Sequence, residues 1–258
     1  KFIKHPYFYY IPDRERDGYG ASKKIFEKLI LKQPKLVIMV DCGSNSIDAV
    51  SFLNDKNIKS IIIDHHEINK PFPKSNVIIN PKKNNGYNEY GYLCATALTY
   101  FFLDLVNKKN KFRYELSNLL IYVLLATICD VMPLRYLNRI IAINTLKKFN
   151  LKKNLLFHTL FQLTNKKDKL TINDLGYLIG PIINSAGRLE NATLSTELLI
   201  SNNSELIKKN SDLLIKLNNK RKNIEKKILD EIDFKKIKKD NKSVIIYFNK
   251  NIKEGLIG

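Results

Sequence analysis

The short apolar run at residues 61–63 constrains the fold more than any other part of the chain, because it ends abruptly in an aspartate and two histidines at residues 64–66. A β-branched run of this length is typical of a buried parallel strand, and polar residues at its carboxyl end are typical of a ligand site. A second apolar run, Leu36–Val40, ends in the same way at Asp41. The ends of these two runs are therefore the first candidate site.

The segment between the two runs has apolar residues at helical spacing over residues 47–53. A strand, a helix and a strand in such close succession form a βαβ unit, whose right-handed crossover makes the two strands parallel. Asp41 and Asp64 are therefore predicted at the same edge of one sheet, with Leu36–Val40 as a central strand. A third short strand is predicted at Val77–Ile79.

Most of the remaining chain has the helical period. Helices are predicted over residues 92–106, 114–128, 137–149 and 155–163, with an earlier helix that begins at Ser22. A helix that begins at Thr171 is predicted to end at Pro181, which leaves residues 184–189 as a loop. A long charged helix is predicted over residues 204–232, and a further strand over residues 243–248.

The predicted fold class is α/β: a parallel sheet with flanking helices, a helical region, a long connector helix and the start of a second domain. The predicted domain boundaries are 1–203 for the first domain, 204–235 for the connector and 236–258 for the second domain. Because the chain begins with Lys1 and stops just after a strand-like run, it is expected to be a piece of a longer protein.

The formal net charge of +19 fits a polyanionic partner such as nucleic acid. The abundant lysine, asparagine and isoleucine fit an A/T-rich coding sequence equally well, in which case many lysines form only a solvated surface. No arginine-rich stretch decides between these two interpretations.

The three cysteines form no C-x-x-C pair, which favours a reducing compartment and disfavours a disulfide scaffold or a zinc ribbon. The longest apolar stretch, residues 119–128, is about half of what a membrane-spanning helix needs, and no signal peptide opens the chain. A cytoplasmic protein that does not enter a membrane is therefore expected.

Five residues are candidates for carrying chemistry: Asp41, Asp64, His65, His66 and Asp130. Carboxylates suit Mg²⁺, and carboxylates combined with imidazoles suit Mn²⁺ better. A single aspartate at a strand end is more often a helix cap or a turn former. Because adjacent side chains of a strand point to opposite sides, one histidine is predicted to bind metal while the other faces substrate. Asp130 closes an apolar helix, where an acid is unfavourable unless a cation compensates it.

Several segments, in chain order, resemble motifs of one family. They are Tyr10, Pro12, Arg14, Gly18-Tyr19-Gly20, Val40-Asp41-Cys42-Gly43, Asp64-His65-His66, Ile128–Leu134, Asn184–Leu189, and Leu217-Asn218 with Arg221 and Glu225. Together they resemble the DHH phosphoesterase superfamily and, within it, the RecJ family of exonucleases specific for single-stranded DNA. The resemblance covers almost the whole chain.

The resemblance implies a role for each candidate. The metal ligands would be Asp41, His65 and Asp130. His66 would contact the scissile phosphate or the metal, and Asp64 would orient the two histidines from behind.

The resemblance also implies that Asn184 and Arg188 hold phosphates of the substrate. The chain departs from the family pattern at two points. The family has an Asp-x-Asp strand end before the Pro-x-Arg segment; it is expected upstream of Lys1, so the chain alone is expected to be inactive. Lys253 stands ahead of Gly255, where the family usually has a histidine.

The activity implied by the resemblance is hydrolysis of single-stranded DNA from a 5′ end, dependent on Mn²⁺ or Mg²⁺, in DNA recombination and repair. Two divalent cations would activate water and stabilise the leaving oxygen in an in-line displacement. A monomer is expected, with a helicase and a single-strand-binding protein as partners. Two alternatives stay open. One is another DHH phosphoesterase that acts on short oligonucleotides, cyclic dinucleotides or pyrophosphate, and the other is a non-catalytic nucleic-acid-binding relative.

Overall fold

The computed structural model of this chain describes residues 5–13, 16–83, 89–189 and 193–232, and of residues 188 and 189 it describes the helical backbone alone. Some predictions fall outside the described residues: Arg14, the strand at residues 243–248, Lys253, and the second domain at residues 236–258.

The described residues form three strands and ten α-helices. The strands are β1 (Leu36–Val40), β2 (Lys59–Ile63) and β3 (Val77–Ile79). The helices are α1 (Lys23–Leu29), α2 (Ile47–Asp55), α3 (Ala95–Lys109), α4 (Leu120–Cys129), α5 (Tyr136–Lys148), α6 (Leu155–Leu163), α7 (Ile172–Asp174), α8 (Gly180–Leu189), α9 (Thr193–Ile200) and α10 (Ser204–Asp230). A π-helical turn, Leu175–Ile179, joins α7 to α8.

The sheet is parallel, in the order β1-β2-β3, and α2 connects β1 to β2. Val40 pairs with Ile63, and Ile63 pairs with Ile79, so the three strands end at one level. The predicted α/β class, with a βαβ unit and both strand ends at one sheet edge, is therefore confirmed.

The prediction that β1 is a central strand is wrong within the described part of the chain, where β1 lies at the edge of the sheet. Leu36, Ile38 and Val40 are 45–52 % exposed, whereas Met39, which points to the other face, is 4 % exposed. A continuous apolar run predicts burial on both faces, but only one face of β1 is covered by the described residues.

The chain divides into two units. The first consists of Lys1–Asn150 and Leu170–Gly176, and the second of Leu151–Lys169 and Tyr177–Gly258. In the first unit, α1, α2 and the sheet bury a core that includes Phe26, Leu53 and Ile62. In the second unit, α10 packs against α6, α8 and α9. The predicted domain boundaries at residues 203 and 235 stay predictions.

The loop predicted for residues 184–189 is wrong, because these residues belong to α8. Pro181 is the second residue of that helix rather than its end. The π-helical turn Leu175–Ile179 precedes α8 without a break, so Pro181 lies within a helical run that extends from Ile172 to Leu189. The π-helical turn changes the backbone hydrogen-bond pattern next to the proline, and the helix continues past it.

The other predicted helices are confirmed, with ends shifted by a few residues. Ser22 caps α1 by accepting a hydrogen bond from the backbone N–H of Ile25, as the sequence predicts. The capping box of Thr171 and Asp174 begins α7. None of the helices in the described ranges has both the length and the apolar character that a membrane crossing requires.

Candidate metal centre

Three of the predicted residues meet where the strands end. The ligand atoms of Asp41, His65 and His66 all lie within 4.8 Å of one another. His65 Nε2 lies 3.3 Å from Asp41 Oδ1 and 4.0 Å from Asp130 Oδ2. The fold therefore brings together acids and imidazoles from the ends of β1, β2 and α4. Asp41, His65, His66 and Asp130 are called the cluster below.

Local backbone geometry explains how Asp41 and Asp130 reach this place. Asp41 follows β1 directly, donates its backbone N–H to the carbonyl of Ile63 at 2.9 Å, and has a positive φ of 59°. Aspartate tolerates this left-handed conformation better than most residues. Asp130 is the C-cap of α4 and donates its backbone N–H to Ala126 at 2.9 Å. An aspartate at a helix C-terminus is electrostatically unfavourable unless a cation compensates it, so this position favours a bound cation.

Asp64 is buried, 1 % exposed, and forms hydrogen bonds to His65 and His66. Its Oδ1 accepts from the backbone N–H of His65 at 2.8 Å and of His66 at 3.3 Å, and contacts His66 Nδ1 at 2.7 Å. Its Oδ2 accepts from the backbone N–H of Ser44 at 3.1 Å. Burial alone would raise the pKa of Asp64, but the hydrogen bonds from Ser44 and His66 lower it to about 2. The ionised carboxylate of Asp64 thus accepts four hydrogen bonds.

The prediction that the two histidines point to opposite sides is wrong. Their ring centroids are 4.7 Å apart with an edge-to-face arrangement, and both rings belong to the same group as Asp41. The reason is that β2 ends at Ile63, so His65 and His66 lie beyond the strand and its alternation does not apply to them.

The charges in the cluster favour a cation. The hydrogen bond with Asp41 raises the pKa of His65, against the opposing effect of burial. Burial, followed by repulsion from Asp41, raises the pKa of Asp130. The cluster thus holds carboxylates whose ionised forms repel each other, and a divalent cation relieves that repulsion. The oxygen and imidazole donors that are present fit Mn²⁺ and, less closely, Mg²⁺.

Asn184 and Arg188, the predicted phosphate-binding residues, lie on α8 in the second unit. The side chain of Asn184 is exposed, and Arg188 lies four positions further along the same helix. The side chain of Arg188 lies outside the described part of the chain. The roles of both residues stay predictions.

Sequence reasoning missed two residues that contact the cluster, Ser44 and Asn80. Asn80 follows β3 and donates through Nδ2 to Ser44 Oγ at 2.7 Å and to the carbonyl of His66 at 2.9 Å. A signal was present, because Asn80 is a polar residue placed directly after a strand, as Asp41 and Asp64 are.

Gly43 holds the turn after β1 in a conformation that other residues avoid, with a φ of +106°. A Cβ there would lie 3.1 Å from Met39 Sδ and 3.3 Å from Ile62 Cγ1. Gly43→Ala is therefore expected to lower the free energy of unfolding by about 1–3 kcal/mol, measured by urea denaturation.

The control for this change is Gly18→Ala, because Gly18 has a φ of +80° and nothing within 4 Å of the added Cβ. Gly18→Ala measures the cost of a positive φ without a steric clash. If Gly43→Ala lowers the free energy of unfolding no more than Gly18→Ala does, the added Cβ of residue 43 does not clash with Met39 and Ile62.

Known proteins and family models similar to this chain point to one class of protein. Residues 2–128 match the family model described as "DHH family, N-terminal domain". Just under half of the chain is therefore similar to the N-terminal domain of that family.

The chain is also similar to RecJ exonucleases. It is 33% identical over 227 residues to the single-stranded-DNA-specific exonuclease RecJ of Haemophilus influenzae, which covers 84% of this chain and 40% of the relative. It is 31% identical over 230 residues to the RecJ of Escherichia coli K12, with the same shares covered. A crystal structure of exonuclease RecJ bound to manganese has the same fold, with a TM-score of 0.77 and 22% identity over 86% of this chain and 56% of that one. The chain thus spans about 40% of the length of these curated relatives.

Proposed function

We propose that this chain is the catalytic part of a metal-dependent exonuclease that degrades single-stranded DNA from the 5′ end in recombination and repair. The observation that carries the proposal is the convergence of Asp41, His65 and Asp130, which come from three separate segments, on one edge of the sheet. The names of the similar RecJ proteins supply the substrate class.

We propose that Asp41, His65, His66 and Asp130 hold Mn²⁺ or Mg²⁺, with two ions in the complete site. A bound divalent cation supplies Lewis-acid stabilisation of phosphate charge and lowers the pKa of a water molecule. The partly exposed side chains of Asp41 and Asp130, 57% and 37%, leave the cluster accessible from solvent.

Asp64 has a different part in this proposal. It accepts a hydrogen bond from Nδ1–H of His66, which leaves the Nε2 lone pair of that ring free for a cation or a substrate contact. Asn184 and Arg188 would bind backbone phosphates and position the strand, which is the protein's main task when metal ions supply the charge.

The proposal also includes the oligomeric state, location, partners and domain boundaries of the protein. The protein would act as a monomer in the cytoplasm, with a helicase and a single-strand-binding protein as partners. Residues 1–203 would form the catalytic domain, residues 204–235 the connector, and residues 236–258 the start of a second domain. The net charge of +19 supports a polyanionic substrate.

The test is a degradation assay on the complete gene product that includes this chain. Single-stranded DNA carrying a label at the 5′ or the 3′ end is incubated with Mn²⁺, beside duplex DNA and RNA of the same sequence. The 5′ label is expected to appear at once as a mononucleotide, the duplex and the RNA are expected to persist, and a chelator is expected to stop the reaction.

The same assay separates the alternatives. Faster turnover of a dinucleotide, a cyclic dinucleotide or pyrophosphate than of a long strand would indicate another DHH phosphoesterase. Binding of DNA without any metal-dependent cleavage would indicate a non-catalytic relative.

A further inference from the structure

The side chain of Asn80, at the end of β3, forms three hydrogen bonds next to the cluster. The side chain is 8% exposed, and Nδ2 donates to Ser44 Oγ at 2.7 Å and to the carbonyl of His66 at 2.9 Å. Its Oδ1 accepts from the backbone N–H of Lys82 at 2.9 Å. Both donors and one acceptor of this amide are therefore satisfied inside the protein.

These contacts connect Asn80 to His66 by two routes. The direct route is the hydrogen bond to the His66 carbonyl. The second route passes through Ser44, whose backbone N–H donates to Asp64 Oδ2 at 3.1 Å, and then through Asp64 Oδ1 to His66 Nδ1 at 2.7 Å. Asn80 thus acts on the backbone of His66 and, through two intermediates, on its ring.

The route through Asp64 acts on the tautomer of the His66 ring, and the direct route acts on its backbone. A carboxylate that is itself held in place accepts from Nδ1–H, so the neutral ring is held as the tautomer with a lone pair on Nε2. Hydrogen bonding of the backbone carbonyl restrains the position from which that ring extends. Without Asn80, one support of Ser44 and one support of His66 are lost at the same time.

We propose that Asn80 is a positioning residue of the metal centre, which holds His66 so that Nε2 faces Asp41 and His65. The inference deepens the proposed function, on which it rests for the identity of the bound ion. It assigns to the end of β3 a task that the motifs of the sequence do not assign to it.

The test measures Mn²⁺ affinity by titration calorimetry and the tautomer of His66 by ¹⁵N NMR of the metal-free protein. Asn80→Ala is expected to weaken Mn²⁺ binding by about 10- to 100-fold, the range for loss of a partner that orients a metal ligand. The NMR spectrum of the variant is expected to show a mixture of His66 tautomers, where the wild type shows Nδ1–H alone. Ser44→Ala, which removes only the indirect support, is expected to have a smaller effect in the same direction.

The matched control is Asn76→Ala. Asn76 precedes β3 as Asn80 follows it, and its Oδ1 accepts from the backbone N–H of Ser60 at 2.8 Å, at the opposite end of the strands. This change removes a hydrogen bond between an asparagine side chain and the backbone at the other end of β3, without touching His66. Wild-type Mn²⁺ affinity and a wild-type His66 tautomer are expected for it.

Two results would overturn the proposal: Mn²⁺ affinity and a His66 tautomer in Asn80→Ala that match the wild type, or an equal loss in Asn76→Ala, which would reduce the effect to general stability. If Asn80→Ala does not fold, Ser44→Ala decides by the same two readouts. Neither readout needs DNA. A protein that binds Mn²⁺ through Asn80-dependent geometry but degrades no DNA would sink the proposed function and leave this inference standing.

Discussion

Asp130→Asn is expected to lower the Mn²⁺-dependent DNA degradation rate by about 10²- to 10³-fold, the usual effect of removing a preorganised electrostatic contact. The substitution keeps the shape of the side chain and removes its charge. Because Asp130 Oδ2 lies 4.0 Å from His65 Nε2, the change acts on the cluster itself. The rate is measured on labelled single-stranded DNA with the complete gene product.

The same variant is expected to behave unusually in thermal unfolding. Burial and repulsion from Asp41 raise the pKa of Asp130, so in the metal-free protein its charge opposes folding at neutral pH. Stability gained by protonation is present below the ordinary carboxyl pKa and is lost as the pH rises through the raised value. Metal-free Asp130→Asn is therefore expected to unfold at the wild-type temperature or above it.

Added Mn²⁺ is expected to raise the unfolding temperature of the wild type but not that of Asp130→Asn. A ligand at a hundred times its dissociation constant stabilises by about 2.7 kcal/mol, which corresponds to roughly 5 to 10 °C in a protein of this size. That shift is expected for the wild type and not for Asp130→Asn. The control is Asp55→Asn, which removes an exposed acid at the end of another helix, α2. An Asp130→Asn protein that keeps both the activity and the Mn²⁺ shift would exclude Asp130 from the site.

Asp64→Asn is expected to lower the free energy of unfolding by about 2 to 4 kcal/mol, or roughly 5 to 15 °C in Tm. The buried carboxylate accepts four hydrogen bonds from Ser44, His65 and His66. The amide of an asparagine would place an N–H donor opposite one of these N–H donors. Neither of the two donors would then have an acceptor. The measurement is urea denaturation at neutral pH.

The pH dependence of stability provides a second readout for Asp64. Burial alone would raise its pKa, but the bonds from Ser44 and His66 lower it from 3.8 to about 2, so its ionised form stabilises the folded state. A shift of this size corresponds to about 2 kcal/mol that is present above pH 4 and lost as the pH falls toward 2. This part of the acid transition is expected to be absent in Asp64→Asn.

The control for Asp64 is Asp48→Asn, which removes an exposed acid in the first turn of α2 and is expected to cost less than about 1 kcal/mol. An Asp64→Asn protein as stable as this control, with the wild-type acid transition, would show that the buried network does not hold the site together.

The sequence predicts the sheet edge well because its cause is local. Apolar runs end at Asp41 and Asp64, a helix lies between them, and the handedness of the crossover then places both at one edge. The meeting of Asp130 with His65 has no such local cause, since α3 and α4 intervene. Only the resemblance to a family predicted it.

Other parts of the site depended on where an element stops. Ending β2 at Ile63 rather than later places both imidazoles beside Asp41, whereas strand alternation would separate them. The role we propose for Asn80 requires knowing that its amide reaches both Ser44 and His66, and no spacing in the sequence contains that distance. Pro181 shows the same limit, because a helical run can continue past a proline when a π-helical turn precedes it.

Acids and imidazoles from three segments are expected to bind the same ion. The most direct measurement is the anomalous scattering of Mn²⁺ in crystals of the complete gene product, recorded on either side of the manganese absorption edge. A peak bounded by the carboxylates of Asp41 and Asp130 and by Nε2 of His65 is predicted. A manganese ion bound elsewhere, with these three side chains unliganded in its presence, would show that they do not form the metal site.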